Sequence, residues 1–344
     1  MKTYDLNERE RTILRTIIYS FIQTATPVGS KFISKKGAVS WSSATIRNIM
    51  SDLEDEGFIN HPHTSAGRVP TDKGYRIFVN SLMNLETLSL SEKDIISSQL
   101  NSLNSPDEII MLTSKLISEI SNQLGVVTAP RFTEGKLEKI EIISLSSTKL
   151  MVILSIEAGL VKTIMMEVKS DISRSILEKV SSLLNEKLSG LTLRDIKETF
   201  GDRLRDSVSE ESGLIRLFIE SSDKIFDETV LKSKMHISGT QNLLQQKEFI
   251  SISNYKSIVE LVNQDDMIIH ILKKNENDNG DISVTIGKEN NEKQFEQLSV
   301  LQTQYKIGSM TGTIGIIGNK RMNYPKLIPL VNYIADSITN MFKN

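Results

Sequence analysis

Apolar positions in the first eighty residues recur at helical spacing three times and then change period. Ile13, Leu14, Ile17, Ile18, Phe21 and Ile22 come as adjacent pairs at a four-residue step, one broad apolar stripe on a helix ending near Ile22. Asn7 and Glu10 fit the cap and third position of a capping box at its start. Pro27 closes the connection. A short second helix over about Ser30 to Lys36 is expected to bury Phe32 and Ile33 and to stop at Gly37, which tolerates the left-handed conformation. After a short turn, a third helix begins near Ser42 or Ser43, either of which can cap it, with Ile46, Ile49, Met50 and Leu53 inward. Gly57 ends it, and Phe58 and Ile59 start a strand.

A rotation of about 100° per residue from that inward face sets Ala44, Arg47, Asn48 and Ser51 outside, with Ser43 at the helix start. A helix entering a major groove leads with its N-terminal end, where Arg can pair with guanine and Asn with adenine. Asp52, Glu54, Asp55 and Glu56 lie further along and would repel phosphate, so contact is expected from the first two turns. The segment that follows, from His61 through Gly67 to Arg76, is cationic: His61, His63, Arg68, Lys73 and Arg76 suit backbone phosphates or a minor groove. Thr71 caps a further helix whose inward side is Tyr75, Phe78, Val79 and Leu82. Any one of these charges taken alone reads equally as ordinary solvated surface. The ordered set reads as an N-terminal winged helix-turn-helix for double-stranded DNA.

Leu85 to Leu90 is a linker, Ser91 and Asp94 suit a helix start, and Ser105-Pro106-Asp107-Glu108 is a stronger one. Ile109, Leu112, Leu116, Ile120 and Leu124 keep helical spacing up to Gly125. Then β-branched runs at 139–146, 149–156 and 160–168 give an antiparallel meander, and further strands are expected at 282–287 and 303–318. A last helix over about 326–342 turns Ile328, Val331, Ile334, Ile338 and Met341 inward. Residues 196–275 are mainly helical, with Leu214, Leu217, Phe218, Ile225 and Phe226 in one segment, and Asn275 to Asp281 is an exposed return. An insertion splitting a sheet domain explains this order. The expected boundaries are 1–85, 86–195, 196–275 and 276–344, an α+β multidomain chain.

Three stretches carry a family resemblance: Thr26-Pro27-Val28-Gly29-Ser30, Ser43-Ala44-Thr45-Ile46-Arg47-Asn48-Ile49-Met50, and Pro62 through Arg76 (PHTSAGRVPTDKGYR). They resemble the bacterial heat-inducible transcription repressor HrcA family. Weaker matches continue in Gly239-Thr240-Gln241-Asn242-Leu243-Leu244 and in Gly312 to Gly318 with Arg321, Met322 and Tyr324, so the resemblance spans nearly the whole chain. It implies a winged helix, a GAF-like antiparallel-sheet domain and a mainly helical dimerisation domain inserted into the latter. It also implies a homodimeric repressor of heat-shock chaperone genes, binding an inverted-repeat operator named CIRCE, with activity maintained by the GroE chaperonin and lost on heat stress.

Length and charge are compatible with this. At 344 residues the chain is long enough for two or three domains. Residues 1–83 hold 11 Lys or Arg against 8 Asp or Glu, a net of +3, and the remainder 30 against 35, a net of −5; that basic footprint is too weak to suggest DNA by itself. Cysteine is absent, which removes disulfides, thiolate nucleophiles and cysteine metal sites. The polar N-terminus and the lack of a long apolar run point to a cytoplasmic chain with no membrane partner.

Enzyme readings find little support. His61 and His63 have few companions for a metal, with four His in all, and His236 and His270 are isolated. The Gly308, Gly312, Gly315, Gly318 series matches neither the dinucleotide fingerprint nor the P-loop, and reads as strands with tight turns. Met165-Met166 reads as core filler rather than as a chaperone-binding surface. No catalytic residue, cofactor or metal is expected. The alternative of a different class is a winged-helix regulator that senses a small molecule in its GAF-like domain.

Overall fold

The computed structural model describes residues 6–35, 39–62, 67–101, 106–169, 171–205, 212–226, 235–249, 258, 260–262, 264–276 and 281–343. The chain is a mixed α+β protein with several antiparallel sheets. Helix α1 (Glu8–Thr24) opens on the expected capping box: Asn7 Oδ1 accepts from the amides of Arg9 and Glu10, and Glu10 accepts from the amide of Asn7. Helices α2 (Ser30–Lys35) and α3 (Ser43–Asp55) close a core of Ile13, Leu14, Ile17, Ile18, Ile33, Ile46, Met50, Leu53 and Phe58. Phe32, expected inside, is 44% exposed. Adjacent helical residues point about 100° apart, and in a helix this short only Ile33 meets the core. Gly37 lies outside the described residues.

Strand β1 (Ile59–Asn60) pairs antiparallel with β2 (Val69–Pro70), and Val28 bridges to Arg68 through two backbone bonds of 2.9 Å. Thr71 caps α4 (Asp72–Ile77), accepting from the Gly74 amide at 3.1 Å, and a π-helical turn continues it to Leu82. Tyr75, Phe78 and Leu82 are buried.

Helix α5 (Leu90–Leu100) starts earlier than Ser91 and Asp94 suggested, because Ser89 and Glu92 form its capping box. Helix α6 (Pro106–Ser121) stops before Leu124: Asn122 has φ 53°, and Leu124 belongs to β3 (Leu124–Thr128). The run Leu-Gly-Val-Val-Thr suits an extended strand, and Leu124 kept the helical count only by coincidence of spacing.

The meander forms as expected from β4 (Leu137–Ser146), β5 (Lys149–Ile156) and β6 (Leu160–Glu167), but it is a sheet of its own. It packs with α7 (Arg174–Leu188), whose Asn185 and Ser181 bond the backbone of Ile140 at 2.7–2.8 Å. Helices α8 (Leu193–Leu204), α9 (Ser212–Glu220) and α10 (Ser222–Phe226) follow. The chain then returns through β7 (Met235–Ser238), which pairs with β3, and passes α11 (Thr240–Leu244) and α12 (Asp265–Lys274). Strands β8 (Ser283–Ile286), β9 (Leu298–Ile307) and β10 (Met310–Asn319) complete a five-stranded antiparallel sheet in the order β7-β3-β10-β9-β8. Helix α13 (Tyr324–Met341) ends the fold.

The segment that interrupts the main sheet therefore lies between β3 and β7, earlier than the 196–275 expected, and it contains strands as well as helices. Alternation tells that a strand has one buried face, not which sheet it joins. Both faces of the main sheet are covered. Val127, Leu301, Ile314 and Ile316 share a core with α6 and α13, while Leu124, Val126, Val300 and Ile317 pack with Ile268, Ile271 and Leu272 of α12.

Candidate nucleic-acid interface

Ser42 begins α3 by accepting from the Thr45 amide at 3.1 Å, and Ser30 Oγ lies 3.0 Å from Ser43 Oγ, which ties the start of α2 to the start of α3. With Ile46, Ile49, Met50 and Leu53 buried, Ala44, Arg47, Asn48 and Ser51 are all exposed. Arg47 and Asn48 have no side-chain hydrogen bond or ion pair with any described residue, so both keep their full donor and acceptor capacity. Ser43 is half-buried and engaged with Ser30.

The cations of the next segment differ from the expectation of free charge. Arg68 Nη2 lies 2.7 Å from Glu54 Oε2, and its Nη1 meets His61 Nδ1. This neutralises one of the acids that follow the exposed turns of α3 and fastens the ribbon to that helix. Lys73 Nζ donates to the Glu56 carbonyl at 2.6 Å and sits 4.1 Å from the Phe58 ring centre. Arg76 is turned away altogether: its guanidinium meets both carboxylate oxygens of Glu289 and donates to the Val284 carbonyl at 2.6 Å. Sequence spacing shows charge and phase but not the partner, and these partners lie up to 213 positions away. His61 is exposed, and His63 falls outside the described residues.

Two cations escaped the sequence reading. Lys31 and Lys35 are both exposed on α2 and bond no described residue. They stand on a helix whose first residue, Ser30, is tied to the start of α3. The same rotation applied to α2 would have found them. Arg9 is also exposed, its guanidinium 5.6 Å from the Trp41 ring centre.

Elsewhere, the histidines do not come together in a site among the described residues. His236 lies in β7 opposite Val127, and His270 is on α12, 3.9 Å from Glu292. No group of three or more potential metal ligands occurs among the described residues. Gly308, with φ +61°, makes the β9–β10 turn, and Gly312 abuts the Tyr305 ring across the hairpin. Met166 is core as expected, whereas Met165 is 47% exposed. Among the described residues no helix is long and apolar enough to cross a membrane.

Residues 107–328 match the sequence model of the HrcA protein C-terminal domain. The heat-inducible transcription repressor HrcA of Chlorobium chlorochromatii (strain CaD3) is 40% identical over 98% of this chain and 97% of its own length. That of Prosthecochloris aestuarii (strain DSM 271 / SK 413) is 39% identical over 100% and 99%. A crystal structure of a hypothetical protein, at 2.2 Å resolution, superposes with a TM-score of 0.61 at 25% identity, covering 98% of this chain and 99% of that one. With a family domain over most of its length and relatives of this identity from end to end, the chain belongs to the HrcA family of heat-inducible transcription repressors.

Proposed function

We propose that this protein is a repressor that binds an inverted-repeat operator of the CIRCE type ahead of heat-shock chaperone genes, as a homodimer, with its active form maintained by the GroE chaperonin. The observation that carries the DNA reading is the exposed pair Arg47 and Asn48 on the first turns of α3, unengaged by any described residue. In this reading α1 to α4 with the β1–β2 ribbon act as a winged helix. Ala44, Arg47, Asn48 and Ser51 face base edges, with Ser43 at the helix entrance. His61 and Lys73 border the backbone from the ribbon side, and Lys31 and Lys35 from α2, while Arg68 braces the ribbon against Glu54.

For the second copy we propose the outer face of the β4–β6 sheet. Ile143 stands opposite Met151, and Met151 opposite Met165; Ile143, Leu145, Val161 and Met165 are large apolar side chains left 42–59% exposed. A contiguous apolar face of this kind is uncommon on a monomer surface. The chaperonin role and the operator name rest on family membership. Fluorescence anisotropy of a labelled inverted-repeat duplex, against a half-site and a scrambled duplex with and without chaperonin, tests the reading. Tight binding to the full repeat, raised by chaperonin, is the expected result; equal weak binding to all three by folded protein would overturn it.

A further inference from the structure

The module that carries α3 is held to the rest of the chain by a seam of paired charges. Asp72 Oδ1 accepts from Lys320 Nζ at 2.8 Å, and Asp72 Oδ2 accepts from the backbone amide of Lys288 at 3.1 Å. One turn further along α4, Arg76 forks onto Glu289 and bonds the Val284 carbonyl. Arg321 donates to the Ile22 carbonyl of α1 at 3.2 Å and pairs with Glu248 of the body. Between these pairs the rings of Tyr75 and Tyr324 are buried, 6.3 Å apart. The charged side chains of the Asp72–Lys320 and Arg76–Glu289 pairs are 24–33% exposed, so they are shielded more than free surface pairs and planar where Arg forks.

The body side of the seam is rigidly mounted. Asn319, directly before Lys320 and Arg321, is buried and donates to Gln246, whose own amide donates to Gln123 at 3.0 Å and to the Asn122 carbonyl at 3.2 Å. Asn242 adds bonds to Ser118 at 3.1 and 3.2 Å. The two motifs around residues 239–244 and 312–322 thus meet in one buried amide cluster at the end of β10. These bonds hold the end of β10, from which Lys320 and Arg321 reach the module.

We infer that this seam determines which separation of operator half-sites the protein accepts, which makes Asp72, Arg76, Glu289 and Lys320 specificity-determining residues that never touch DNA. The inference rests on the dimeric DNA reading above. Two half-sites share one face of the duplex only at a spacing of about 10–10.5 base pairs or its multiples, so each inserted pair turns the second half-site by roughly 34°. A module fixed to the body presents α3 at one separation and rejects the rotated site. A module on its linker alone adapts to both.

The test uses the full-length protein and the variants Arg76→Glu, Glu289→Arg, their double exchange, and the milder Lys320→Gln, each checked for folding by its thermal melt. Anisotropy is measured on a half-site and on repeats whose spacer is changed by up to five base pairs. Because the chain has no cysteine, two can be introduced at exposed positions outside the proposed DNA contacts, Gln23→Cys on α1 and Glu178→Cys on α7, for pulsed spin-label distances with labelled protein diluted into unlabelled.

Wild type should prefer one spacer at least tenfold and give a narrow distance. The single variants should keep half-site affinity within about twofold, lose the spacer preference and broaden the distance, and the double exchange should restore both. Variants that keep the spacer preference, or that lose half-site affinity to the same degree as full-repeat affinity, overturn the inference. Should wild type with a narrow distance bind no duplex, the DNA reading itself fails and the spacing assignment with it. A narrow distance in every folded variant removes the seam as the fastening.

Discussion

Gly74, in the first turn of α4, stands against the carbonyl oxygen of Phe58, so close that a side-chain carbon at Gly74 would overlap it. Thr71 Oγ1 approaches the same backbone, donating to the Gly57 carbonyl at 2.7 Å. The end of α3, the start of β1 and the first turn of α4 are thereby packed backbone on backbone. In an exposed helix, Gly→Ala stabilises by about 1 kcal/mol. Here Gly74→Ala should instead destabilise by roughly 1–3 kcal/mol through forced displacement. Urea unfolding decides the sign, and a gain in stability would show that α4 can lift off Phe58 without cost.

The exposed pair on α3 gives the sharpest functional expectation. Arg47→Ala or Asn48→Ala should each cost about 1–3 kcal/mol on the operator and relax sequence preference at the position read. Because neither side chain bonds a described residue, the melting temperature should hardly move. Loss of affinity with unchanged discrimination between operator and scrambled duplex would reject base reading.

Arg68 and the α2 lysines separate two accounts of the backbone contacts. Lys31→Ala and Lys35→Ala should each lower the slope of log affinity against log salt by about one unit if each neutralises a phosphate. Arg68→Ala should act differently. It removes the tie to Glu54 and His61, so it should lower stability and loosen the ribbon while leaving the salt slope near its original value. A full unit lost from the slope, with the melt unchanged, would return Arg68 to the role its position in the sequence suggested.

Val161→Asp or Met165→Asp should convert a dimer to a monomer in sedimentation velocity, because each puts a charge on the outer face of β6 without touching the buried face of Ile164 and Met166. A persistent dimer in both variants would move the proposed interface to another surface.

What the sequence made legible was local. The cap at Asn7, the stripes of α1 and α3, the strands of the meander and the stripe of the last helix all follow from spacing within a few turns. The exposed side of α3 followed too, since a buried face fixes the opposite one. What escaped depends on distant partners. The charge of Arg76 looks like that of Arg68, and only Glu289 distinguishes them. Among the described residues the meander pairs with no other strand, yet its alternation would be the same if it did. Met235 to Ser238, which closes the interruption, is too short to stand out between its neighbours, and it is a strand because β3 offers it an edge.

Glu92 supplies the pH dependence. Its carboxylate accepts from Lys326 Nζ at 2.8 Å, joining the start of α5 to the start of α13, and from the amide and hydroxyl of Ser89 at 2.9 and 2.8 Å. The Lys326 bond first, then the two from Ser89, lower its pKa from 4.5 to about 2. A carboxyl whose folded pKa lies below its unfolded one adds stability that is complete above about 4.5 and is lost as pH falls towards 2. The group is partly exposed, so salt should weaken the effect. Glu92→Gln keeps a side chain able to close the capping box but removes the charge. Urea midpoints should therefore show wild type ahead of the variant near neutral pH, and the gap should close between about pH 4.5 and 2. A gap that stays constant over that range would mean that the Glu92 charge contributes nothing to holding α5 against α13.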